Sequence, residues 1–112
     1  MVMNLKPEGM GYVLFRPGVE DFLKRVTEMF EVVIFTASVS DYANPIISKL
    51  EESVDYTFYR LYRNHCFAKR FYFVKDLRRL GRNLKDVIIM DNLHECFERQ
   101  KNNGLPVKPY WT

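Results

Sequence analysis

Apolar positions recur along the chain in two rhythms. Val19, Phe22, Leu23, Val26, Met29 and Phe30 fall three or four apart, and Glu20, Asp21, Lys24, Arg25 and Glu28 take places between them. That is the one-sided stripe of an amphipathic helix. Pro17 suits its start, and acids in its first turn suit the positive end of the helix dipole. Elsewhere apolar residues run without interruption. Residues 32–35 (VVIF) and 87–90 (VIIM) are short, largely β-branched blocks, the mark of strands buried on both faces of a parallel sheet. Further strands are predicted at residues 12–15, 56–62, 71–74 and 105–107. A second helix is predicted over about residues 40–50, with Pro45 kinking or restarting it and Asn44 as a cap. Residues 63–70 read as a loop and 76–80 as one or two helical turns. Strand and helix alternate, which predicts a layered α/β domain.

With 112 residues and no repeat or linker, residues 1–112 form one domain with no room for a second core. Hydrophobic residues at 47% and aromatics at 15% exclude a disordered chain. No apolar run approaches the ~20 residues of a membrane helix. The opening MVMNLKPEGMGY has no basic-then-apolar pattern, so no signal peptide is predicted. Cys66 and Cys96 stand in no CxxC or metal-like spacing. A reducing intracellular compartment is expected rather than a disulfide framework.

Net charge is +3, unevenly spread. Residues 60–85 hold nine bases (Arg60, Arg63, Lys69, Arg70, Lys75, Arg78, Arg79, Arg82, Lys85) against Asp76 alone, a local +8. This suggests an anionic partner, or simply a solvated face. No recognition-helix or RNA-binding motif accompanies it, so nucleic acid is not the expected partner.

Candidate chemistry follows from where polar residues meet the strand blocks. In parallel sheets, ligands sit beyond the carboxyl ends of the strands. Thr36 follows block 32–35, Lys75 follows 71–74, and Asp91 with Asn92 follows 87–90. A hydroxyl donor and an ammonium suit phosphate, and Asp and Asn oxygens suit Mg²⁺. Taken singly, Thr36 is an ordinary turn residue and Lys75 an ordinary surface lysine.

The segments RPGVEDFLKRV, VVIFTASVSDYANPI, RLYRNHC and YFVKDLRRLGRNLKDVIIMDN resemble, in order and at similar spacing, the small C-terminal-domain phosphatases. These are the NLI-interacting-factor-like branch of the haloacid dehalogenase superfamily, and the resemblance covers residues 13–111. It implies an incomplete Rossmann-like parallel sheet flanked by helices. It also implies Mg²⁺-dependent removal of phosphate from phosphoserine in a protein or peptide, notably the RNA polymerase II tail, in the nucleus or cytoplasm rather than the mitochondrion. By the resemblance, Thr36 holds the transferring phosphoryl group, Lys75 neutralises it and pairs with Asp91, and Asn92 ligates Mg²⁺. Arg63 contacts the phosphopeptide. Val39 and Tyr42 line its proline pocket, where residue pattern alone allows plain helix packing.

Two departures qualify this. The family's nucleophile lies in an Asp-x-Asp-x-Thr motif ending a hydrophobic strand. Here no Asp precedes Asp21, which falls on a polar helix face, and Glu8, the one carboxylate before residue 12, is expected to follow no apolar strand. The expectation is therefore a partial phosphatase-like domain, inactive as given, with the strand between blocks 32–35 and 87–90 missing. Truncation accounts for this and for the family's missing C-terminal helix. Otherwise the two blocks pair directly in a shrunken sheet. Asp91-Asn92-Leu93-His94 also departs from the family's Asp-Asn-Ser-Pro, and His94 reads as a plain surface or packing residue rather than an acid or base. His65 is expected to be exposed and Cys66 core-facing, neither with a partner. The alternative reading is a non-catalytic phosphopeptide- or presequence-binding module, as in the mitochondrial import translocase subunit that NNGLPVKPYW faintly resembles.

Overall fold

The computed structural model describes residues 3–5 and 13–109, with side chains over residues 15–109. β1 (Met3–Leu5) pairs antiparallel with β2 (Val13–Phe15), Met3 opposite Phe15. β1 lies where no strand is expected from the residue pattern; β2 falls within the predicted one, Tyr12 lying outside the described residues.

α1 (Val19–Met29) begins after Gly18, whose φ of 86° is left-handed and favours glycine there. Only part of its predicted stripe is buried. Val19 and Leu23 face the core and Val26 is half-buried, while Phe22, Met29 and Phe30 are exposed. The stripe is wider than the helix it meets, so its outer edge is left in solvent.

β3 (Val33–Phe35) leads into α2 (Ser40–Val54) and returns as β4 (Tyr59–Leu61). β3 and β4 are parallel, Val33 opposite Tyr59, so the three form a β-α-β crossover unit. α2 runs through Pro45 without a break and four residues beyond its predicted end. Asn44 is no cap. Its Oδ1 accepts from Arg60 Nη1 at 2.9 Å and from the Tyr62 hydroxyl, tying α2 to β4. The far end is tied as well. Glu51 accepts from the Phe58 amide at 2.8 Å and from Arg60 Nη2 at 2.5 Å. The main core lies here: Val19, Leu23, Ile34, Ala43, Ile47, Leu50, Val54 and Phe58.

A single turn, Arg63–His65, precedes the antiparallel ladder of β5 (Phe67–Ala68) and β6 (Phe73–Val74). Turns at Leu77–Leu80 and Leu84–Asp86 lead to β7 (Ile89–Asp91). The segment His94–Asn103, kinked at Phe97 and Gln100, then delivers β8 (Gly104–Pro106), parallel to β7 with Ile89 opposite Gly104. Leu77, Ile89 and Phe97 make a second, smaller core, so the buried side chains do not form the single core expected from the chain's length.

The parallel sheet is thus two separate two-stranded ribbons, β3–β4 and β7–β8, and the direct pairing of β3 with β7 does not occur among the described strands. Nor are blocks 32–35 and 87–90 buried on both faces: Ile34 and Ile89 are buried, while Ile88 is 67% exposed. A ribbon two strands wide covers alternate residues only. Among the described residues no helix is long and apolar enough to cross a membrane.

Candidate functional site

Lys75 follows β6 directly. Its amide donates to the Cys96 carbonyl at 2.8 Å. Its side chain is not the surface lysine that residue type suggests: the residue is 7% exposed, and Nζ donates to Asp91 Oδ2 at 2.5 Å. Asp91 ends β7 and is equally buried. Its Oδ1 accepts from the Leu93 amide at 3.0 Å, and its carbonyl from the Val107 amide at 3.0 Å. Backbone ladders on both sides therefore hold this buried ion pair in place.

Thr36 leaves β3 at the same end of the molecule. Its amide donates to the Leu61 carbonyl at 2.9 Å, and its Oγ1 accepts from the Ser38 amide at 3.0 Å. The hydroxyl closes a turn, as its residue type suggests, and still has a proton to donate. Thr36 and Lys75 are not hydrogen-bonded to each other; Phe35 and Cys66 lie between them. Lys75 Nζ lies 5.9 Å from the Phe35 ring centroid, and Cys66 Sγ lies 4.0 Å from the Thr36 carbonyl oxygen. Burial pushes the Cys66 thiol up, opposed by Lys75 and Arg63. Burial, aided by Asp91, pushes the Cys96 thiol up to about 11. Both shifts favour the protonated thiol over the reactive thiolate.

Arg63 secures the loop after β3. Its amide donates to the Ser38 carbonyl at 3.1 Å and its Nε to the Ala37 carbonyl at 2.7 Å. The guanidinium lies 4.9 Å over the Phe73 ring. Val39 and Tyr42, at the start of α2, are 48% and 47% exposed, so they do not serve plain core packing. Asn92 is exposed. His94 is exposed and pairs with Glu95 at 3.2 Å. His65 differs from its expectation: it is half-buried, and Nδ1 accepts from the Tyr62 amide at 3.0 Å. Cys66 also has a neighbour, the Tyr62 carbonyl at 3.7 Å.

The family model of the NLI interacting factor-like phosphatases matches residues 1–112. The chain belongs to this family. It is 42% identical over 100 residues to the human carboxy-terminal domain RNA polymerase II polypeptide A small phosphatase 1, covering 89% of this chain and 38% of that protein. It is 41% identical over 100 residues to a probable C-terminal domain small phosphatase of Dictyostelium discoideum, covering 89% of this chain and 32% of that protein. Among solved structures it resembles the fission yeast RNA polymerase II CTD phosphatase bound to beryllium fluoride. The TM-score is 0.74 at 25% identity, over 88% of this chain and 27% of that one. The chain spans about a third of the length of these curated relatives. Its two ribbons and crossover helix are a partial Rossmann-like core of the haloacid dehalogenase type.

Phosphatases of this family imply Mg²⁺, and the described residues do not form a site for it unaided. Asp91 has one oxygen on Lys75 and the other on an amide. Asn92 adds only a neutral amide oxygen. No group of three or more His, Cys, Asp or Glu among the described residues could hold a metal. The basic stretch also looks different once folded. Arg60 pairs with Glu51, Lys69 with Glu98, Lys75 with Asp91, Arg78 with Asp76 and Arg82 with Glu31. More than half of its nine cations thus face carboxylates of this same phosphatase-family chain, which weakens the case for a general anionic partner along this stretch.

One functional-looking acid escapes a reading of the sequence. Asp76 is buried and accepts from the Arg78 amide at 3.0 Å, Arg78 Nη2 at 2.8 Å, Arg99 Nη1 at 3.0 Å and Gln100 Nε2 at 2.9 Å. Its one signal was being the lone acid among nine bases. Arg78, then Arg99 and Gln100, hold its carboxyl well below the usual carboxylate range against the opposing effect of burial. A depressed folded pKa stabilises the fold above the ordinary value near 4, and that contribution is lost as pH falls below it. Asp76→Asn should therefore lower stability at neutral pH by about 1–3 kcal/mol. It should also flatten the acid limb of the unfolding midpoint measured in urea from pH 5 downward. An equally steep acid limb in the variant would assign the acid sensitivity to other groups.

Proposed function

We propose that this chain supplies the phosphate-gripping and peptide-facing part of a Mg²⁺-dependent phosphoserine protein phosphatase, and that it does not turn over by itself. The buried Lys75–Asp91 pair at 2.5 Å, beside the loop that starts at Thr36, carries this reading. Phosphoryl transfer needs positioning and charge neutralisation more than covalent chemistry from the protein. Lys75 supplies a fixed positive charge in a poorly solvated place, where it stabilises developing negative charge most. Asp91 orients that ammonium. Thr36 donates its hydroxyl proton to a phosphoryl oxygen. Arg63, fastened to the Ala37 carbonyl, holds the loop and faces the peptide. Val39 and Tyr42 present apolar surface to a proline beside the phosphoserine, which supports a Ser-Pro preference.

Asn92 offers one oxygen toward Mg²⁺, and the remaining ligands and the nucleophile fall to an Asp-x-Asp-x-Thr segment that these 112 residues do not contain. Among the described residues Asp91, the carboxylate at this end of the fold, is committed to Lys75 and so is not placed to attack. The 112-residue chain with an aryl phosphate and Mg²⁺ should give no turnover above buffer. The same chain joined to a segment bearing the motif should gain it. An extended chain that folds, by circular dichroism, and is still inactive would defeat the catalytic reading. Phosphorylated Ser-Pro peptide should bind the chain more tightly than the plain peptide; equal affinities count against the assigned grip.

A further inference from the structure

Lys75 serves the site, while its neighbour Asp76 serves a different place. A cleft of about 480 Å³ is lined by His65, Phe67, Asp76, Arg78, Arg79 and Arg99. Three guanidiniums share the cleft with one carboxylate, a surplus of two positive charges among them. The buried Asp76 carboxylate fixes two of them. It accepts from Arg78 Nη2 at 2.8 Å and Nε at 3.1 Å, and from Arg99 Nη1 at 3.0 Å. Arg99 is also laid 4.6 Å over the Phe67 ring. Arg79 reaches the His65 carbonyl only at 3.4 Å, which leaves most of its donors to a ligand. The Tyr62 amide donating to His65 Nδ1 places the imidazole proton on Nε2, a further donor at the rim.

None of these groups has a part in the chemistry assigned to Lys75, Asp91 and Thr36. Planar guanidiniums gathered along one cleft, two of them anchored on Asp76, suit a tetrahedral oxyanion through the N–H donors that Asp76 leaves free. We infer that this cleft is a second phosphate-binding site, separate from the one at Lys75. The turn Arg63–His65 joins the two places, with Arg63 at the loop after β3 and His65 in the cleft. Such a turn rises about 2 Å per residue, while an extended peptide advances about 3.3 Å per residue. A peptide gripped at Lys75 and running along this turn would bring a second phosphate, a few residues along, into the cleft. That source of the phosphate rests on the proposed function; the oxyanion site itself does not.

Two titrations test this. Inorganic phosphate is added to the ¹⁵N-labelled chain while the arginine Nε–H signals are followed. Saturable shifts are expected at Arg78, Arg79 and Arg99. They should persist in Thr36→Val and weaken about tenfold or more in Arg79→Gln/Arg99→Gln. Should Arg99→Gln disturb folding through Asp76, Arg79→Gln alone carries the comparison. Absence of saturation, or saturation unchanged by these substitutions, overturns the site. Peptides with one and with two phosphoserines are then compared. A gain of about tenfold for the doubly phosphorylated peptide, abolished by Arg79→Gln, assigns the cleft to a second substrate phosphate. Equal peptide affinities with the inorganic phosphate response intact assign it to free phosphate, and leave the site standing whether or not the chain grips peptide at Lys75.

Discussion

Lys75→Met lowers the stability of the folded chain by about 3–5 kcal/mol, a large part of what a domain of this size has to lose. The reason is the partner left behind. Asp91 is 8% exposed and lies at the end of β7, so without the ammonium at 2.5 Å a carboxylate is stranded away from water. The reverse change, Asp91→Leu, strands the ammonium and costs a similar amount. The double variant Lys75→Met/Asp91→Leu recovers most of the loss, because apolar groups of similar volume need no charge compensation. Phosphopeptide binding does not recover with it. Urea unfolding of the four chains gives the coupling directly. A Lys75→Met cost below about 1 kcal/mol would mean a pair screened by water, as surface ion pairs are, and would remove the buried charge from the site.

The second large effect comes from a residue with no side chain. Gly104→Ala is expected to cost about 1–3 kcal/mol, or more, by overpacking. Its backbone is ordinary for any residue, with φ −87° and ψ 133°, so the cost is purely steric. A Cβ there would stand 2.7 Å from Phe97 Cζ and nearer still to Cδ2 and Cε2. Phe97 is a buried ring of the smaller core with Leu77 and Ile89, and it has little space to retreat. Either the ring leaves its place or β8 moves off β7. The latter disturbs the site, since the Val107 amide just past β8 holds the Asp91 carbonyl. Phe97→Leu in the Gly104→Ala background should restore part of the stability. If Gly104→Ala leaves the urea midpoint unchanged, β8 does not pack against Phe97 as described.

Both effects bear on how the fold carries its site. The proposed site draws on the ends of β3, β6 and β7, and each end is held by a segment distant in sequence. Leu61 holds Thr36, Cys96 holds Lys75 and Val107 holds Asp91. Changes at such supports should move phosphopeptide affinity even where they touch no ligand.

What residue order alone determined is local. The spacing of Val19, Leu23 and Val26 was enough for α1, and the apolar blocks were enough for β3 and β7. The rule that parallel strands present ligands at their carboxyl ends picked out Thr36, Lys75 and Asp91, which the fold brings to one end. These signals sit within a few residues of the element they specify. The tertiary structure decided the rest. Nothing near Lys75 in sequence says that it is buried; that depends on Asp91, sixteen residues on. Nothing near Pro45 says that α2 continues to Val54; that depends on Glu51 meeting Arg60 and Phe58. Asp76 gained its role only when Arg99 and Gln100 arrived from another segment. The pairing of β4 with β3 and β8 with β7, and the lack of any bond between β3 and β7, were equally invisible. A strand's pattern records which residues favour burial, while its neighbour is chosen by the competition of all segments for the same hydrogen-bonding edge.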